Sequence, residues 1–169
     1  MALRFIDGFE HYSIPSQIPL KYTSYNDSGG SSGITTMTGR RSGSTALLFR
    51  TSADFIGLTF DPQSTWYMGF GLYMLSTETA ELLRFSDEAG TIQGAVSIGN
   101  DGTIRVYRGS VSSGTLLATS SNALPILTWN FIEVKYTIAD SGGNWEVRIN
   151  ESTWINFTGD TKQSTSLST

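Results

Sequence analysis

Few side chains in this sequence could carry covalent chemistry. His11 is the only histidine and cysteine is absent, which excludes a histidine or thiolate zinc cluster and a cysteine nucleophile together. A Ser-His-Asp arrangement would have to be assembled around His11. No neighbouring motif supports one, and beside Tyr12 it reads as a structural histidine. Retaining glycoside hydrolysis requires two carboxyl groups about 5 to 5.5 Å apart, and no strand pattern supplies such a pair. Asp7 and Glu10 would project from opposite faces of an extended segment. Asp87-Glu88 precedes Ala89-Gly90 in what reads as a solvated turn. Asp101, Asp140 and Asp160 are hard oxygen ligands of the kind calcium takes, but their spacing matches no calcium-binding loop. They read as turn formers whose side chains cap local backbone groups. No catalytic residue, metal ligand or cofactor is assigned, and the chain is expected not to be an enzyme.

Binding chemistry has better candidates. Aromatic rings offer a large apolar face with, for Tyr and Trp, a polar handle, and Tyr67, Tyr73, Tyr107 and Trp154 are the candidates for a glycan platform. Packing in the core or against a subunit is the competing reading for each. The Asn-x-Ser/Thr triplets at Asn26, Asn150 and Asn156 matter only in a eukaryotic secretory protein. The amino terminus has no charged region followed by an apolar run, so they read as chance and the chain as made in the cytoplasm.

The elements that must position these rings read as strands. From Trp66 to Met74, Trp66, Met68, Phe70, Leu72 and Met74 share one face of an extended segment, while Tyr67, Gly69, Gly71 and Tyr73 share the other. Two glycines would weaken a helix there. They leave a flat strip bordered by tyrosines, which either admits another sheet closely, the favoured reading, or forms the floor of a groove. Ile132, Val134, Tyr136 and Ile138 alternate in the same way, with Asn130 at the exposed start of that face. Asp140-Ser141-Gly142-Gly143 then turns the chain into Trp145, Val147 and Ile149, and Asn150 to Thr153 turns it toward Trp154, Ile155 and Phe157. Gly99-Asn100-Asp101-Gly102 links Ala95–Ile98 to Thr103–Tyr107 as a tight hairpin. Shorter strand signals lie at Ala46–Arg50, Phe55–Phe60 and Thr115–Thr119, and Glu78–Phe85 reads as a loop entering a strand at Leu82. The run Asn26–Thr38 reads as a loop.

Composition agrees with this pattern. The chain has 169 residues, of which 38% are hydrophobic, 12% aromatic and only 15% charged, so small uncharged side chains supply most of the polarity. A net charge of -4 disfavours a phosphate-binding surface, and no apolar run approaches the roughly 20 residues that a spanning helix needs. Nucleic acid and membrane are not expected partners. A single β-sandwich domain over residues 1–157 is expected, with 158–169 a polar segment that is extended or packed on a neighbour. Turn signals every roughly 8 to 12 residues fit an all-β, antiparallel two-sheet jelly-roll sandwich.

Several motifs also resemble a known family in their order. These are Phe5-Ile6-Asp7-Gly8-Phe9-Glu10-His11-Tyr12, the stretch Gly39 to Leu47, Met68-Gly69-Phe70, Asn100-Asp101-Gly102-Thr103-Ile104-Arg105-Val106 and Leu116-Leu117-Ala118-Thr119-Ser120. The pair Trp129-Asn130-Phe131-Ile132-Glu133-Val134-Lys135 and Gly143-Asn144-Trp145-Glu146-Val147-Arg148-Ile149-Asn150 completes the series. Together they resemble the concanavalin A-like lectin and glucanase fold, in particular the laminin-G-like domains of bacteriophage structural proteins. The resemblance implies a non-enzymatic virion protein, displayed on the capsid or a tail appendage for decoration or attachment. Its partners would be other virion proteins, with a host surface glycan as an additional ligand. Chains of this kind usually continue into further strands after the Gly-Asp-Thr segment. An uncovered sheet edge invites pairing with another subunit, so a homo-oligomer such as a trimer is expected. The alternative is a carbohydrate-binding module for host glycans, followed by a glycoside hydrolase.

Overall fold

The computed structural model describes residues 5–9, 12, 14–27, 33–51 and 53–163, so His11 and Glu10 lie outside the described residues. The chain divides into two compact units, Met1–Thr59 and Phe60–Thr169. Each is built from antiparallel strands, and the only helix among the described residues is the 3-10 turn Pro15–Leu20.

The first unit holds two small ladders. Strand β1 (Ser24–Asn26) pairs with β4 (Phe55–Gly57), and β2 (Thr35–Thr38) pairs with β3 (Thr45–Leu48). Strand β2 occupies the end of the segment that reads as a loop. Its threonines are β-branched and favour extended backbone once a partner strand is present. Tyr12, Ile18, Tyr22 and Ile34 form the core, packed by Phe5, Phe9, Tyr25, Leu47, Ile56 and Leu58. Within it the Asp7 carboxylate, only 2% exposed, lies 3.3 Å from Lys21 Nζ. It accepts hydrogen bonds from the phenols of Tyr12 (2.7 Å) and Tyr22 (2.9 Å) and from the Phe9 N–H (2.9 Å). Burial pushes the Asp7 pKa up, but these donors, led by the Tyr12 phenol, outweigh it and hold the carboxyl below its ordinary value. Burial and the neighbouring carboxylate together hold both phenols protonated well above the usual tyrosine range.

The second unit is an all-β, antiparallel two-sheet sandwich. One sheet has the order β12-β11-β10-β5 and the other β6-β7-β8-β9. The first is made of β5 (Thr65–Tyr73), β10 (Trp129–Thr137), β11 (Gly143–Ile149) and β12 (Ser152–Gly159). The second is made of β6 (Ala80–Ser86), β7 (Ile92–Ile98), β8 (Thr103–Arg108) and β9 (Thr115–Ala123). The chain thus enters one sheet with β5, completes a four-strand meander in the other, and returns through β9 to finish the first. Along β10 and β11 buried and partly exposed residues alternate strictly, as period-two burial requires. Ile132, Val134, Tyr136, Trp145, Val147 and Ile149 from one sheet meet Val96, Ile98, Ile104 and Val106 from the other. At the centre, Tyr136 and Trp145 stack with ring centroids 3.8 Å apart and 11° between planes.

Several local readings change in three dimensions. Asn130, expected at an exposed position, is 2% exposed. Its amide donates to the carbonyls of Pro125 and Thr128 and its oxygen accepts from Asn150 Nδ2, so polar pairing makes its burial tolerable. Asp87, read as part of a solvated turn, is buried and organises that turn by accepting from the Thr91 N–H (2.8 Å) and from Gln93 Nε2 (3.1 Å). In the hairpin after β7, Gly102 has φ of +77° while Asp101 does not enter the left-handed region. Asp101 instead accepts from both the hydroxyl and the N–H of Thr103, which hold its carboxyl below the ordinary value. The polar residues after β12 contribute to the interior, because Thr161 is fully buried. Its hydroxyl donates to the Thr137 carbonyl (2.6 Å) and accepts from the Ala139 N–H (3.1 Å).

Candidate functional site

The outward face of the β12-β11-β10-β5 sheet is built by two adjacent strands. In register, Trp129 lies opposite Tyr73, Phe131 opposite Gly71, Glu133 opposite Gly69 and Lys135 opposite Tyr67. The inward-facing neighbours Ile132, Val134 and Tyr136 are in the core, so alternation turns this second set outward. Tyr67, Tyr73, Trp129 and Phe131 therefore share one face over a span of about 20 Å, at roughly 3.3 Å per extended residue.

Gly69 and Gly71 let the rings of the neighbouring strand lean across β5. A Cβ at residue 69 would sit 3.1 Å from the tip of the Phe131 ring, and one at residue 71 would sit 3.6 Å from the six-membered ring of Trp129. Cross-strand aromatic packing covers part of the glycine strip, which the β5 sequence read alone does not reveal. Tyr73 and Trp129 form a tilted pair with centroids 5.4 Å apart, and the Lys135 ammonium stands 5.9 Å from the Tyr67 ring centroid. Tyr67 remains 54% exposed and Phe131 41% exposed.

A polar bank borders the rings. Glu133 of β10 lies opposite Arg148 of β11, with carboxylate and guanidinium 3.9 Å apart, and Lys135 lies opposite Glu146. Farther out, Asn144 donates to the Asn156 side chain (3.1 Å) and to the Phe157 carbonyl (2.8 Å). The face thus offers ring surfaces on one side and hydrogen-bonding groups on the other, the combination expected of a small set of orienting polar groups beside an apolar floor.

Of the four rings singled out by sequence, the fold brings Tyr67 and Tyr73 together on this shelf. Tyr107 does not join them, because it lies in β8 of the other sheet and is 9% exposed. Trp154 does not join them either: it sits beside the register shift of β12 and packs partly buried against the core. Trp129 and Phe131 were missed. Their alternation with Asn130 and Ile132 was the available signal, and it needed the β5-β10 pairing to acquire meaning.

The acids elsewhere serve local structure. Asp101 pairs with Arg105 (3.0 Å), Asp140 with Lys162 (3.3 Å) and Asp160 with Arg108. No group of three or more His, Cys, Asp or Glu that could hold a metal occurs among the described residues. The first unit has an open hollow of about 500 Å³ bordered by Tyr12, Thr36, Thr38 and Ser44, with no charged side chain among its described lining residues.

These features define a β-sandwich with an exposed aromatic shelf on one sheet. Comparison with protein-family models and with curated proteins gives no match. Among solved structures, the carbohydrate-binding module CBM66 from Bacillus subtilis aligns with 86% of this chain and 81% of its own, at a TM-score of 0.44 and 8% identity.

Proposed function

We propose that this protein is a non-catalytic glycan-binding β-sandwich that holds saccharide on the β5-β10 shelf. The observation that carries this reading is the gathering of Tyr67, Tyr73, Trp129 and Phe131 on one outward sheet face, with two of the rings well exposed. Elsewhere in the same unit Trp145, Tyr136 and Phe85 are each at most 5% exposed, and Phe60, Phe70, Trp154 and Phe157 pack partly buried against the core. Leaving aromatic area in water forgoes roughly 25 cal/mol per Å² of burial, so a clustered exposed set is explained by something that covers it. A saccharide suits the shelf because its C–H faces pack on rings while its hydroxyls reach Glu133, Arg148, Lys135 and the outer amides.

A glycan array, followed by calorimetry on the hits, tests the proposal. Trp129→Ala and Tyr67→Ala are each expected to weaken binding about tenfold or more, equivalent to about 1.4 kcal/mol per tenfold, with near-ultraviolet circular dichroism unchanged. Retained affinity in both folded variants would sink the shelf as the site. Carriage on a tailed-bacteriophage particle is a separate proposal resting on the strand motifs, with repetition on the particle converting weak contacts into avidity. Mass spectrometry of purified virions tests it, and absence of the chain there would refute that setting alone.

A further inference from the structure

We infer that the saccharide is a neutral, linear polysaccharide lying along the β5 axis, an inference that rests on the glycan-binding reading of the shelf. Two observations beyond the presence of rings carry it, one concerning length and the other charge.

The rings are strung out. The Tyr73–Trp129 pair marks one end, the Phe131 ring leans over Gly69 in the middle, and Tyr67 with Lys135 marks the other end. From Tyr67 to Tyr73 an extended strand covers about 20 Å, several sugar rings long. A single monosaccharide could touch only one of these stations, whereas an extended chain following the strand meets all of them. The polar bank formed by Glu133, Lys135, Glu146 and Arg148 lies on β10 and β11 level with Tyr67 and Gly69, so a chain following β5 would meet hydrogen-bonding groups beside the Tyr67 end and ring faces alone toward the Tyr73 end.

The charges on that bank balance. Glu133 faces Arg148 and Lys135 faces Glu146 across the β10-β11 ladder, which places two acids and two bases on the shelf. The face therefore carries no net charge to reward an acidic glycan, and the whole chain at -4 would oppose one. Paired charged groups still donate and accept hydrogen bonds to neutral hydroxyls.

The test is calorimetry with a neutral linear β-glucan, its oligosaccharides from monomer to hexamer, and alginate as an acidic linear polysaccharide, each at low and high salt. Affinity is expected to rise with oligomer length. It should change less than about twofold between roughly 0.05 and 0.5 M salt, where an ionic contact would be screened. Tyr67→Ala and Trp129→Ala, at opposite ends, should each weaken the hexamer about tenfold while changing the shortest bound oligomer far less. Tight binding already complete with a monosaccharide, or a salt-sensitive preference for alginate, would overturn this inference while leaving the shelf as a glycan site. Failure of glucan and alginate alike would overturn it too, and if the broader glycan array were also blank the glycan-binding reading itself would fall.

Discussion

Gly94 shows at the scale of one residue how closely the sandwich is packed. A Cβ there would stand 2.7 Å from Trp145 Cζ2 and from Tyr136 Cζ, beneath the stacked pair. Gly94→Ala is therefore expected to destabilise the second unit by about 1 to 3 kcal/mol, the usual range for an overpacked core. Urea unfolding followed by tryptophan fluorescence measures it. Asp7 gives the first unit a dependence on acid. Its folded carboxyl titrates below the ordinary value of 3.8, so the stabilisation is complete above the unfolded pKa and is lost as pH falls through the folded one. A carboxyl-carbon NMR titration should place the Asp7 midpoint below 3.8, and a midpoint above that value would contradict the hydrogen-bond network. Tyr25, pushed up to about 12 by burial and then by Asp27, should stay protonated through ordinary alkaline conditions.

At the scale of elements, two devices close the sandwich. The β11-β12 hairpin turns on Asn150 and Glu151, both with positive φ (49° and 71°). Consecutive positive φ is the signature of a type I′ turn, in which glycine is preferred at the second position. Glu151 spends free energy on a left-handed backbone with no glycine to relieve it. Glu151→Gly is expected to raise stability by up to about 1 kcal/mol, since relief of the left-handed strain outweighs the extra unfolded-state freedom of glycine. A thermal melt with no rise would show that the turn is already relaxed. The second device is the strap of residues 160–163. Thr161 bonds Thr137 and Ala139, the Tyr136 phenol donates toward the carbonyls of Gln93 and Thr161, and the Gln163 N–H donates to Gln93 Oε1. Polar contacts thus tie β7 to β10 where apolar residues are lacking. Thr161→Val removes the acceptor of the partly buried Ala139 N–H and the donor to the Thr137 carbonyl, and should cost about 1 to 3 kcal/mol. Hydrogen exchange at Ala139 should then become measurably faster.

At the scale of the molecule, the two units have separate cores, Tyr12, Ile18, Tyr22 and Ile34 in one and the stacked Tyr136–Trp145 pair with its neighbours in the other. A fragment beginning at Phe60 should therefore fold by itself and retain the near-ultraviolet signal of buried tryptophan. Loss of that signal in the fragment would show that the sandwich depends on the preceding residues. The larger unit is long enough to bury a core without disulfides, whereas the smaller one leans on its Asp7 network as well as on apolar packing.

Alternation made the large sheets legible from residue order. The patterns of Trp66 to Met74, Ile132 to Ile138 and Trp145 to Ile149 announce strands with one buried face, because successive side chains of an extended backbone point oppositely and only one set can leave water. The same rule identified Tyr67 and Tyr73 as neighbours of a glycine strip. It could not reveal that Trp129 and Phe131 would lie across that strip, nor that Tyr107 and Trp154 would be drawn away from it. Those placements depend on which strand pairs with which, and in what register, and pairing is a contact between residues far apart in the chain. Burial of Asn130, Asp87 and Thr161 was hidden for the same reason: a polar side chain can leave water only once distant partners arrive to replace its hydrogen bonds, and only the folded chain brings them.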